Sequence, residues 1–126
     1  MEENLKEKAR NYFVIGCIAN DMGMFSEAAS NLFKALFAVD DFDLSKYGEK
    51  PKDHTERFDL LKMKSPKLYS LTDRLFSTYR RTYTKELQKG ELLLVKERII
   101  EAFKNAGIEI PTDREIKEKI AELAKK

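Results

Sequence analysis

The only side chain of this 126-residue sequence whose ordinary pKa lies near neutrality is His54, in the segment Lys52-Asp53-His54-Thr55-Glu56. Proton transfer at a phosphate ester needs such a group, and a cation to stabilise the charge that builds on phosphorus. Two candidates for the cation, Arg80 and Arg81, lie in Tyr79-Arg80-Arg81-Thr82-Tyr83. A folded chain that brought them to His54 would assemble the catalytic set His54, Arg80 and Arg81. Arg57 follows His54 by three residues and shares its face if a helix begins there. The competing reading makes His54 a helix-start residue with a local hydrogen bond, and a single histidine beside a capping aspartate favours that structural role.

A second pattern suggests binding. Arg74, Thr78, Arg81 and Lys85 recur at steps of four, three and four, a basic ridge along one side of a helix. With Arg57 and an exposed Tyr83, these residues could contact phosphates and stack on bases, which makes Arg57, Arg74, Arg81, Tyr83 and Lys85 the candidate RNA- or nucleotide-binding set. The plainer alternative is a solvated face paired with acids of a neighbouring helix.

Asp40, Asp41 and Asp43 resemble the spaced acids that hold a divalent ion, but they close an amphipathic helix and no glycine-rich phosphate loop precedes them. No metal or cofactor is expected from them. Acids at a helix C-terminus oppose its dipole and leave room for a Lys or Arg from elsewhere. Cys17 sits among Val14, Ile15 and Ile18 and reads as a small core residue.

Composition narrows the class. Twenty-four Lys and Arg against 22 Asp and Glu give a formal charge of +2, too little for a whole-molecule attraction to nucleic acid, so any such binding must be local. Hydrophobic residues make up 42% of the chain, enough for one packed core. One cysteine forbids an intrachain disulfide, the first residues are charged where a secretory signal would be apolar, and the longest apolar run is far below a membrane span. A cytoplasmic protein is the expectation. Abundant Lys and Glu with a single glutamine resemble the bias of heat-adapted proteins.

The elements that must position these residues are helices. Leu5, Ala9, Tyr12, Phe13, Gly16 and Ala19 form one stripe, and after Gly23 a second stripe follows in Phe25, Ala28, Ala29, Leu32, Leu36 and Val39, which predicts an antiparallel pair. Gly48 and Pro51 mark a loop, and Asp53 with Glu56 predicts a helix start. Ser65-Pro66 announces a fourth helix with a serine cap, whose apolar edge is Leu68, Leu71, Leu75, Tyr79 and Tyr83. A turn near Gln88-Lys89-Gly90 leads to a fifth helix ending at Gly107, and Thr112 with Glu115 starts a sixth carrying Ile116, Ile120 and Leu123. The fold class is therefore all-α, an up-and-down bundle of five main helices plus a C-terminal helix. Residues 1–107 form the bundle and 108–126 pack on the same domain.

This order of features resembles the HEPN superfamily: a helix pair joined by a glycine turn, Ala28-Ala29 in the second helix, Lys52-Asp53-His54 before Leu60-Leu61, and Arg81-Thr82-Tyr83 near the end of the fourth helix. The likeness spans roughly residues 3–106. It implies a homodimeric helical bundle and, as a partner, a small nucleotidyltransferase of the toxin–antitoxin type. Many members are metal-independent ribonucleases with an Arg followed four to six residues later by His. Here no arginine stands in that position before His54, so the resemblance points to a noncatalytic RNA- or nucleotide-binding or nucleotidyltransferase-partner module. A ribonuclease with a relocated His/Arg site and a structural homo-oligomeric assembly protein are the alternatives. The 13 aromatic rings, many for thin helices, are a second reason to expect a dimer.

Overall fold

A computed structural model describes residues 2–125, in six helices: α1 (Glu2–Asp21), α2 (Phe25–Ser45), α3 (His54–Lys64), α4 (Pro66–Arg81), α5 (Lys89–Ala106) and α6 (Asp113–Ala124). Helices joined by turns and short loops account for the described residues, which makes the chain an all-α bundle. No helix among them is long and apolar enough to cross a membrane.

The two first stripes meet as an antiparallel pair, with Gly16 against Leu32 and Lys34 Nζ 5.8 Å from the centre of the Tyr12 ring. Gly23 joins them at φ 75°, a left-handed conformation that glycine adopts without steric penalty. The pair can close because Gly16 has no side chain. A Cβ there would lie 2.8 Å from Leu32 Cγ and 3.2 Å from the Leu32 backbone nitrogen.

Helix α2 is the hub, packing on α1, α3, α4 and α5. Its buried face, which includes Ala28, Ala29, Leu32, Phe33, Leu36 and Val39, meets Leu61 of α3, Leu68, Leu71 and Leu75 of α4, and Leu92, Val95, Ile99 and Phe103 of α5 in one core. Phe13 of α1 reaches Phe103 with ring centres 5.3 Å apart. Burying each such large apolar side chain contributes roughly 1.5–3 kcal/mol.

The three aspartates at the end of α2 are tethers, each to a different partner. Asp40 accepts a hydrogen bond from Thr72 Oγ1 of α4 at 2.8 Å. Asp41 takes both Nε and Nη2 of Arg57 on α3, at 2.7 and 3.1 Å. Asp43 accepts from Ser65 Oγ at the corner between α3 and α4, and Lys46 Nζ lies 3.5 Å away. Together they fasten the α3–α4 hairpin to α2 and answer the unfavourable dipole with cations, as the sequence suggests.

Local signals explain most boundaries. Asp53 caps α3 by accepting from Glu56 N–H at 2.9 Å, Thr112 and Glu115 form a reciprocal cap on α6, and Gly107 ends α5 at φ 73°. Two expectations need correction. Pro66 opens α4, but Ser65 makes no side-chain cap, since its hydroxyl is spent on Asp43. Helix α4 stops at Arg81, so Tyr83 and Lys85 lie in the turns beyond it; Tyr83 still packs on Tyr79, ring centres 5.4 Å apart, but Lys85 leaves the side of the helix that carries Arg74 and Arg81. Thr82 Oγ1 bonds back to the Tyr79 carbonyl at 2.5 Å in that final turn. Helix α6 lies against α1 and buries none of its residues. Arg10 holds it, through Nη2 to both Glu115 oxygens at 2.8 and 2.9 Å and Nε to the Glu109 carbonyl at 2.8 Å.

Candidate functional site

Where α3 begins, His54 enters a nest of rings. Its imidazole centre lies 4.6 Å from Phe37 of α2 and 5.5 and 5.6 Å from Phe76 and Tyr79 of α4. Arg57 places Nη1 2.6 Å from His54 Nδ1 and its guanidinium carbon 5.2 Å from the Phe37 ring centre, while Asp41 fixes its other side. A guanidinium only donates hydrogen bonds, so Nδ1 is the acceptor and the neutral imidazole carries its proton on Nε2. Burial first, and the adjacent Arg57 charge second, lower the pKa of His54 below the usual histidine value. The cation beside His54 is therefore Arg57, which follows it in sequence.

Tyr79 continues the nest outward. Its ring packs 5.0 Å from Phe37 and 5.2 Å from Phe33, and its hydroxyl lies 2.6 Å from the Tyr83 hydroxyl. Burial, with the Tyr83 hydrogen bond, pushes the Tyr79 phenol up to about 12, so Tyr79 remains a neutral hydrogen-bonding group across the physiological range. Tyr83 is 73% exposed. It borders a groove of about 360 Å³ between α2 and the turn after α4, where Lys34, Phe37, Tyr79, Lys85 and Glu86 also line the wall. Ser26 Oγ donates to Glu86 at 2.9 Å on that rim. Among the described residues, neither Lys34 nor Lys85 forms an ion pair.

The sequence-derived site residues separate into two places. His54 and Arg57 form a contact pair at the nest, and Arg80 lies beside it with its guanidinium carbon 5.8 Å from the Phe76 ring centre. Tyr83 and Lys85 border the groove. Arg81 does not join His54. Two residues along a helix turn a side chain by about 200°, so with Tyr79 facing the nest Arg81 faces α5. There Arg81 Nη2 donates to Glu91 at 2.7 Å. Arg74 and Thr78 line the same α4–α5 groove, and Lys85, beyond the helix end, leaves the ridge.

Reasoning from sequence passed over Lys34 and Phe37 as site residues and weighed Asp41 only as a metal ligand. Their steps of three and four put them on one stripe of α2, the signal that could have found them. A larger hollow of about 560 Å³ between α1 and the loop at Gly48–Pro51 shares only Asp41 with this site and has no exposed ring.

Comparisons with protein-family models, with curated proteins and with solved structures found no match to this chain.

Proposed function

We propose that this chain is a noncatalytic binding module for single-stranded RNA or a nucleotide, built on a HEPN-like helical bundle, that receives a base against Tyr83 and Tyr79. The observation that carries this reading is the exposed Tyr83 ring on the rim of a groove that also holds Tyr79, with Lys34 and Lys85 on its walls. A base stacks on an aromatic face without regard to its identity, and adjacent lysines supply the phosphate contacts that such stacking needs. The charge-balanced remainder of the surface then leaves the attraction local, as a net charge of +2 requires.

The chemistry of His54 supports binding over scission. A general base needs a free lone pair, and Nδ1 already accepts from Arg57 while Nε2 bears the proton. A lowered pKa also makes the protonated acid scarce at neutral pH. The Nε2–H group is left as a hydrogen-bond donor. The ribonuclease alternative draws on one observation, the contact of His54 with a guanidinium.

One experiment separates these readings. A fluorescent single-stranded RNA decamer titrated at 50 mM salt binds saturably, and Tyr83→Ala weakens it about tenfold, within the range for one lost base stack. Replacing Lys34 and Lys85 by Gln flattens the salt dependence by about 1.4 units of logarithmic slope, about 0.7 for each lost phosphate contact on a single strand. Absence of binding by the unmodified protein, or indifference to Tyr83→Ala, defeats the proposal. Cleavage of the same RNA in chelator, lost in His54→Ala, establishes the ribonuclease instead.

A further inference from the structure

We propose that the groove between α4 and α5 docks an acidic amphipathic helix from a partner protein. Two stripes form its walls. Arg74, Thr78 and Arg81 recur at steps of four and three on α4, and Glu91, Leu94 and Arg98 at steps of three and four on α5. The hollow between them measures about 370 Å³. From Arg74 to Arg81 the wall runs about 10 Å, or two helical turns.

Its chemistry selects the occupant. Three arginines face one carboxylate, Glu91, within the groove, and Arg74 forms no ion pair among the described residues. Arg81 and Arg98 are held by Glu91 and Glu101, both on α5, at 2.7 and 2.9 Å. These pairs are solvent-facing, so exchanging either carboxylate for one from a partner costs little, and guanidinium groups bind carboxylates through paired donors. Leu94 is 59% exposed at the groove and Leu93 is exposed beside it. Leucine next to arginine matches an apolar residue flanked by acids. No aromatic ring lines this groove, in contrast to the Tyr83 site, so it lacks the platform that single-stranded nucleic acid uses.

The test is selection from a displayed library of two- to four-turn amphipathic helices with one apolar stripe and randomised flanking charge, followed by sequencing. The expected pool on the unmodified protein is enriched in Asp and Glu beside Leu, Ile or Phe. Binding of the enriched peptides falls at least tenfold in Leu94→Asp and, separately, in Arg98→Glu, and is unchanged in Tyr83→Ala. Both substituted side chains are exposed, and far-UV circular dichroism verifies the fold of each variant. No enrichment, enrichment of basic peptides, or retention of binding in both folded variants overturns the proposal. So does sedimentation showing self-association abolished by Leu94→Asp, which gives the face to a second copy, or loss of RNA decamer affinity in Arg98→Glu, which gives it to nucleic acid.

Discussion

At the scale of single residues, Asp40 carries an unbalanced buried polarity. It is fully buried, Thr72 satisfies one carboxyl oxygen, and Oδ1 has no partner. Burial drives its pKa well above the usual aspartate value, opposed by the Thr72 bond and by Arg57. A group whose folded pKa exceeds its unfolded one contributes stability that is full below the unfolded value, near pH 4, and is lost as pH rises through the folded value. Asp40→Asn, which keeps the neutral shape, should therefore gain in stability on the native protein as pH rises from 4 to 8. Urea unfolding at the two pH values measures it, and a constant difference between the proteins would refute it. Little of this was legible beforehand. The three acids were visible as a group, but whether each met Thr72, Arg57 or Ser65 depends on contacts between helices. The Arg57–His54 contact was readable because a spacing of three within one helix already dictates proximity.

Among the elements, the close approach of α1 to α2 rests on Gly16. Alanine is the better helix former by about 1 kcal/mol, yet its Cβ would meet Leu32 side-chain atoms at 2.8 and 2.9 Å. Overpacking of this kind costs roughly 1–3 kcal/mol. Gly16→Ala should therefore lower stability by about 1 kcal/mol, read from the denaturant midpoint, and an unchanged or raised midpoint would show that Leu32 yields freely. The helices themselves were legible, because apolar residues at steps of three and four, capping residues and glycine stops are local signals. The end of α4 was not. Tyr83 keeps the spacing of Leu75 and Tyr79 although the backbone leaves the helix at Arg81, so periodicity overran that end and wrongly kept Lys85 on the ridge with Arg74. Ser65 shows the same limit from another side, since a residue suited to capping is taken by a more distant acid.

For the whole molecule, the aromatic excess finds its place within one chain. Of the 13 rings, only Tyr47 and Tyr83 are exposed, and the others are buried or half-buried. Ring content therefore gives no independent reason for a dimer. What the bundle adds is segregation: α4 divides an aromatic, lysine-rimmed groove from an arginine–leucine groove, a division that no linear motif displays. The sequence showed a single basic ridge because it counts charges along one helix, whereas the structure sorts them by what stands opposite.

The way α6 is attached has a further effect on motion. The body of the molecule rests on interlocked side chains, but this last segment is held by one guanidinium, Arg10, and by the half-buried Ile110 and Ile116, with Ile108 buried at its root. Regions with few buried apolar contacts open at a fraction of the global free energy. Arg10→Ala should accelerate amide hydrogen exchange across residues 113–124 by about tenfold while leaving α2 and α5 protected, and uniform exchange throughout would show that the segment opens only with the rest. The molecule would then have two melting units, with a hinge at Gly107–Pro111, and the surface of α1 beneath the last helix would be available intermittently.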